Sequence, residues 1–117
     1  MKTSINISPF QTTDAVVIEK TLFRISESSD FFEVRVIARS TNGTTAAWKF
    51  EQVVKHTGGG GIILVGNQNT LTAKDAGAST WDVDLTTDTD TITAQIQGQA
   101  GVTINWRITV SLFKTNG

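Results

Sequence analysis

The chain has 117 residues, with 10 Lys and Arg, 11 Asp and Glu, one His and no Cys. This length predicts one domain with one core, and the lack of Cys excludes disulfides, thiol nucleophiles and Cys-bound zinc. A net charge of −1 provides no broad basic surface, which argues against a nucleic-acid partner. No apolar run is long enough for membrane insertion or for a signal peptide.

The first 25 residues contain two segments of different character. Residues 1–13 are mostly polar and predict an N-terminal arm, which leaves 14–117 as a single β-sandwich domain. From Asp14 to Ile25, apolar side chains occupy both alternating phases, so both faces of a strand there would contact protein. We therefore predict that this segment makes an oligomer contact. The predicted contact residues are Val16, Val17, Ile18, Leu22, Phe23 and Ile25.

Alternation with a period of two marks most of the remaining chain. In residues 102–112, every even-numbered side chain is apolar and every odd-numbered one is polar through Ser111. Such a row places one set of side chains inward and the other outward on a β-strand. The same alternation recurs in residues 81–86 and 92–97, and in residues 32–39 with Ile37 as the one apolar residue of the second row.

Two further segments fit a strand less regularly. In residues 48–55, Gln52 interrupts the apolar row and Val53 interrupts the polar row. The apolar run 62–65 is closed by Gly66 and predicts a short strand covered on both faces. About eight strands result, separated by turn-forming residues. This spacing favours an all-β, antiparallel β-sandwich that is jelly-roll-like.

Catalytic groups are scarce in this sequence. The single His, His56, is predicted to be an exposed residue at a strand end, and a hydrolase would need it to meet an Asp pair in one pocket. The glycine run after it lacks the helix, Lys and Ser or Thr of a phosphate loop. We therefore expect that the protein is not an enzyme and needs no cofactor.

The densest acidic cluster contains Asp82, Asp84, Asp88 and Asp90. Carboxylates of this kind can bind Ca²⁺ or act as acid and base on a glycoside. However, the first two share the outward phase of a strand, the other two lie in a turn, and the Gly and Glu of a Ca²⁺ loop are missing. A solvated face is the favoured interpretation, and a metal ion near these four carboxylates is the alternative.

Three tryptophans, Trp48, Trp81 and Trp106, offer flat apolar rings that suit a sugar. All three occupy the inward phase of alternating segments, which predicts that they pack in the core. A carbohydrate-binding module would need at least one of them exposed in a groove.

Two loops are candidates for partner binding, because glycines let another backbone come close. The residues concerned are Asn42 and Gly43 in one loop, and Gly58, Gly59, Gly60 and Gly61 in the other.

Four motifs follow one another between residues 47 and 112. They are Ala47-Trp48-Lys49-Phe50-Glu51, the glycine run with Leu64-Val65-Gly66, Lys74-Asp75-Ala76-Gly77-Ala78 with Trp81-Asp82-Val83, and Gly98-Gln99-Ala100-Gly101 leading to Trp106. In this order they resemble a β-domain of tail-fibre and other virion structural proteins of tailed bacteriophages. The resemblance covers a little over half of the chain and supplies no catalytic residue.

The resemblance implies a role in the bacteriophage virion, as a tail-fibre, fibre-tip or capsid decoration component made in the host cytoplasm. Such proteins assemble by symmetry, so a homo-oligomer is expected, with a trimer favoured because fibres are typically trimeric. Other virion proteins and a host-surface glycan are the further partners that it implies. The alternative function is a stand-alone carbohydrate-binding module.

Overall fold

Eight antiparallel strands and one 3₁₀ turn form the part of the chain that the computed structural model describes, residues 2–115. The elements are β1 (Lys2–Thr12), β2 (Ile18–Arg24), β3 (Ser29–Ser40), β4 (Thr45–His56), β5 (Ile62–Lys74), the 3₁₀ turn (Ala76–Ala78), β6 (Asp82–Thr87), β7 (Thr91–Gln97) and β8 (Ile104–Lys114). The large sheet has the order β1-β8-β3-β4-β5, and the small sheet has the order β2-β7-β6. The predicted all-β sandwich of about eight strands is confirmed.

The alternating rows explain why these segments are strands. The even-numbered side chains of β8 are buried from Ile104 to Leu112, and those of β3 are buried from Asp30 to Ser40. In β7, Ile92, Ala94 and Ile96 are buried in the same way. Burying one aliphatic side chain stabilises the fold by roughly 1.5–3 kcal/mol, so the inward rows of both sheets form the core between them.

The strand order is only partly that of a jelly roll. The pairs β1–β8 and β2–β7 are nested, one in each sheet, as jelly rolls have them. In contrast, β3, β4 and β5 follow one another as neighbours in the large sheet. Three strands therefore face five, and the small sheet cannot cover the whole inner face of the large one.

The structure differs from the predicted arm at the N-terminus. Residues 2–12 form β1, which pairs with β8 along its length, with a register shift between Ile7 and Phe10. Ile5, Ile7 and Phe10 pack against the core. Pro9 lies in the shifted part, where a residue without a backbone N–H is tolerated. Because the bulge changes the phase, the inward side chains of β1 do not form one regular row in the sequence.

The structure also corrects the prediction of a short, covered strand at residues 62–65. Strand β5 runs to Lys74, and the side chains of Ile63, Leu64 and Val65 are 44–47% exposed. Gly66 lies within the strand at a φ of +75° and does not end it. Since β5 is an edge strand of the large sheet, its apolar side chains are not enclosed by this chain.

Gln52 keeps its place in the inward row of β4 and is 3% exposed. Its Nε2 donates hydrogen bonds to the carbonyl oxygens of Val65 and Gly66, both at 3.0 Å. The β4–β5 register shifts between Glu51 and Val53 at this point. The polar residue in an apolar row is thus explained by a bulge whose carbonyl groups need a donor.

The 3₁₀ turn has three residues, and no helix within residues 2–115 is long and apolar enough to cross a membrane.

Candidate functional site

The three tryptophans lie together in the core, as predicted. Trp48, Trp81 and Trp106 are 4%, 1% and 1% exposed. The rings of Trp48 and Trp106 are stacked with 5.6 Å between their centroids, and Trp81 lies 6.4 Å from Trp106 at a tilt of 52°. Ala38 pairs with Trp106 on the neighbouring strand, and its small side chain leaves room for the stack.

Each of two indole N–H groups in this cluster has an acceptor inside the protein. Trp106 Nε1 donates to Thr12 Oγ1 at 2.9 Å, and Trp81 Nε1 donates to Gln99 Oε1 at 2.9 Å. No face of these rings is open to a sugar. The requirement for a carbohydrate-binding module, one tryptophan exposed in a groove, is therefore not met.

His56 lies at the end of β4, as predicted, but it is buried rather than exposed, with 9% of its surface accessible. Its Nδ1 accepts a hydrogen bond from the Gly58 N–H at 3.0 Å, and its own backbone N–H donates to the Ser28 carbonyl. The imidazole thus holds the start of the glycine loop. This gives His56 a structural partner on the chain itself.

The four acidic residues do not converge. Asp82 and Asp84 project from β6, while Asp88 and Asp90 lie around the β6–β7 turn, where Asp90 forms an ion pair with Arg24. Burial and the neighbouring Asp82 carboxylate raise the pKa of Asp84. Among the described residues, no three side chains of His, Asp or Glu are grouped in a way that could hold a metal ion.

The two candidate partner loops lie at opposite ends of the sandwich. Asn42 and Gly43 connect β3 to β4, and Gly58, Gly59, Gly60 and Gly61 connect β4 to β5. The whole of β4, 12 residues, separates them, which is about 40 Å at the rise of a strand. They cannot act as one binding surface of a single chain.

Only some residues of the predicted oligomer contact are on the surface, because the others pack in the core of this chain. Leu22, Phe23 and Ile25 are 3%, 6% and 1% exposed, so they are not available to another subunit, and this part of the prediction is wrong. A bulge between Thr21 and Phe23 in the β2–β7 pair turns side chains of both apparent phases inward. Val16 and Val17, at 64% and 50% exposed, remain accessible, and Ile18 is half-buried.

The sequence did not reveal the largest group of exposed apolar side chains. It lies on the outer face, defined here as the side of the large sheet that points away from the small sheet. Phe31, Ile37, Leu71 and Phe113 project from this face and are 49–66% exposed. Apolar residues in outward rows were the available signal, but only the strand register shows which of them lie side by side, as Phe31 and Phe113 do.

Side chains in the middle of the outer face form four parallel rows across the strands. The phenylalanine row contains Phe113, Phe31, Val53 and Val65, and the acidic row contains Glu33 and Glu51. The basic row contains Arg35 and Lys49, and the alanine row contains Arg107, Ile37, Ala47 and Ala73. The phenylalanine row and the alanine row, which is apolar apart from Arg107, therefore flank two rows of opposite charge.

The two charged rows are linked within the chain. Arg35 Nε donates to Glu33 Oε1 at 2.8 Å, and Lys49 Nζ lies 3.5 Å from the same oxygen and 4.0 Å from Glu51 Oε2. The hydrogen bond from Arg35 is the main reason that the pKa of Glu33 is lowered, with partial burial opposing it. The lowered pKa of Glu33 favours its charged form beside Arg35 and Lys49, so the acidic and basic rows are tied together by ion pairs.

The alanine row forms the floor of a depression of about 350 Å³. Ile37, Ala47, Leu71 and Ala73 line it with apolar atoms, and cations from the basic row and Arg107 stand at its rim. The depression exists because the small side chains of Ala47 and Ala73 lie between larger ones.

The fold, rather than the sequence, links this chain to known proteins. No protein-family model and no curated protein matches it. Among solved structures, the tailspike protein of Acinetobacter baumannii phage AM24 is similar over 99% of this chain and 27% of its own length, with a TM-score of 0.53 and 10% identity. The chain shares its fold with part of a phage tailspike.

A second tailspike, from Acinetobacter phage vB_ApiP_P1, matches over 98% of this chain and 21% of its own, with 12% identity and a TM-score of 0.32, too low to indicate a shared fold. The chain thus spans about a quarter of the length of these tailspikes.

Proposed function

We propose that the chain is a structural component of a bacteriophage virion, in a tail fibre, at a fibre tip or as a capsid decoration. It works by assembling with other virion proteins and with copies of itself rather than by catalysis. The fold shared with part of a tailspike supports this setting.

The observation that carries the proposal is the outer face. Monomeric proteins rarely expose large contiguous apolar patches, and such patches mark interaction sites. Here two exposed apolar groups lie on one face with the acidic row between them: Phe31 and Phe113 are register partners in one row, and Ile37 and Leu71 border the depression. A protein whose work is assembly needs a surface of this kind.

We also propose a homo-oligomer, with three copies as the state that the resemblance to fibre proteins favours. In a ring of three, one patch meets a different patch on the next copy. Val16 and Val17 are the part of the predicted contact that another copy can reach. A host-surface glycan would meet the loops or the outer face, since the tryptophan rings are enclosed.

Mass spectrometry of purified particles tests the virion role. Particles of the virus that encodes the chain, purified by density gradient, should contain its peptides at a fixed ratio to a major structural protein after every further round of purification. The particle-free lysate of the same infection is the control. Peptides that stay in the lysate and disappear from the particles would contradict the proposal.

A further inference from the structure

We propose that the outer face of the large sheet binds the outer face of a second copy around a two-fold axis that crosses the strands between the acidic and basic rows. This goes beyond the proposed function, which uses the outer face as a sign of assembly but names neither the partner that covers this face nor the symmetry of that contact. It also does not depend on the place of the chain in a virion.

The charged rows determine the direction of the axis. A two-fold axis across the strands exchanges the rows, so Glu33 of one copy lies over Arg35 of the other, and Glu51 lies over Lys49. A two-fold axis along the strands would instead place each charged row over itself. Opposite charges across an interface fix its register, and like charges facing each other are costly, so the first arrangement is favoured.

The apolar rows fit the same arrangement by size. The exchange places the phenylalanine row over the alanine row, so Phe31 and Val53 of one copy enter the depression above Ile37 and Ala47 of the other. Val53 over Ala47 and Val65 over Ala73 place a larger side chain over a smaller one, which lets the two sheets interdigitate, while Phe31 over Ile37 is an apolar contact. Phe113 comes to lie over Arg107, where its ring can receive the guanidinium.

The available area is sufficient for a specific pair. Five strands about 4.8 Å apart, with about eight residues each at 3.3 Å, give a face of roughly 600 Å² per copy. Two such faces bury about 1,200 Å², which is the lower end of the range for specific protein pairs.

A three-fold arrangement would not bring opposite charges of the outer face together as the two-fold arrangement does. Three copies around an axis along the strands would bring acidic rows to the same level, where Glu33 and Glu51 of one copy approach those of the next. The two-fold contact is therefore separate from any ring of three. Alone it produces a dimer, and combined with a ring of three it produces six copies.

Light scattering of the full chain, from about 1 to 300 µM, tests the pairing through its charges. Wild type should form an assembly with an even number of copies. Either K49E or E51K should weaken the pairing by about tenfold or more. At intermediate concentration, the measured molar mass of either variant should then be half that of wild type. The double variant K49E/E51K exchanges the two charges within each copy and restores the pairing to within about threefold. A single reversal without effect, or a double variant as weak as the singles, overturns the proposal.

A matched pair of variants tests the apolar rows. Phe31 and Val17 are 49% and 50% exposed, but Val17 lies outside the outer face. F31T should weaken the pairing by about tenfold or more because an aromatic anchor is lost, whereas V17T should leave it unchanged. Far-UV circular dichroism and tryptophan emission should stay as in wild type.

Three further results would overturn the proposed pairing. The first is a wild type that stays monomeric throughout the concentration range, and the second is one that forms trimers only. The third is a pairing that F31T leaves intact, which would mean that another surface holds the copies together. A wild type that stays monomeric would also contradict the proposed homo-oligomer, and one that forms only trimers would agree with it. The virion role itself is tested separately, by the peptide content of the particles.

Discussion

At the scale of single residues, the tryptophan cluster depends on two polar partners. A buried indole N–H loses its water and needs an acceptor. Thr12, at the end of β1, supplies one for Trp106, and Gln99, between β7 and β8, supplies one for Trp81. Both acceptors come from segments far from their tryptophans in the sequence, by 94 and 18 residues. These hydrogen bonds therefore tie chain ends and loops to the core.

Thr12 is the more informative of the two to change. In T12V the side chain keeps its shape but cannot accept a hydrogen bond, so the indole N–H of Trp106 is left buried and unpaired. We expect the free energy of unfolding to fall by about 1–3 kcal/mol, measured by urea denaturation. T13V, in which an exposed neighbour receives the same change, should differ from wild type by less than about 0.5 kcal/mol. Equal stability of the two variants would contradict the role of this hydrogen bond.

At the scale of elements, an N-terminal arm and the observed strand β1 lead to different expectations for a protein that lacks residues 2–12. An arm can be removed without harm, whereas β1 covers one edge of β8 and places Phe10 6.3 Å from Trp106 in a stacked arrangement. It also carries Thr12. Strand β8 would become an edge without it.

Removing residues 2–12 should therefore destabilise the protein by more than about 3 kcal/mol and shift tryptophan emission to the red as Trp106 meets water. The control S4A/N6A changes only exposed β1 side chains and should keep the emission of wild type. Fluorescence and far-UV circular dichroism provide the measurement. A truncated chain with blue-shifted emission and the β spectrum of wild type would favour the arm instead.

The sequence alone is sufficient for the strands that alternate regularly. Residues 92–97 and 102–112 could be assigned as strands because one of the two alternating rows of side chains in each is buried between the sheets. Strand β1 was missed because the bulge near Pro9 changes its phase, and β5 was misjudged because a period of two does not show whether a strand lies at an edge. The outer-face rows could not be predicted at all, since they depend on the register between strands.

At the scale of the whole molecule, the tryptophan cluster joins the two sheets. Trp48 and Trp106 belong to strands of the large sheet, and Trp81 immediately precedes β6 of the small sheet. Their rings are in contact distance across the core. Neither sheet can therefore separate from the other without exposing all three rings.

One cooperative transition should follow from this connection. We expect the urea midpoint seen by tryptophan fluorescence to coincide with the midpoint seen by far-UV circular dichroism, as small single domains usually show. The comparison is made at a low protein concentration, where copies are not associated. A fluorescence change that precedes the loss of strand structure would contradict it, because the sheets would then come apart before they unfold.

The pairing of β1 with β8 has a consequence for engineering. Lys2 lies opposite Phe113 in adjacent strands, where antiparallel partners are about 5 Å apart. The first residue of β1 and the end of β8 thus lie side by side. Two short linkers are enough to insert the whole sandwich into an exposed loop of a host protein. A short glycine bridge between these strand ends would equally allow a circular permutant that opens at the β4–β5 loop.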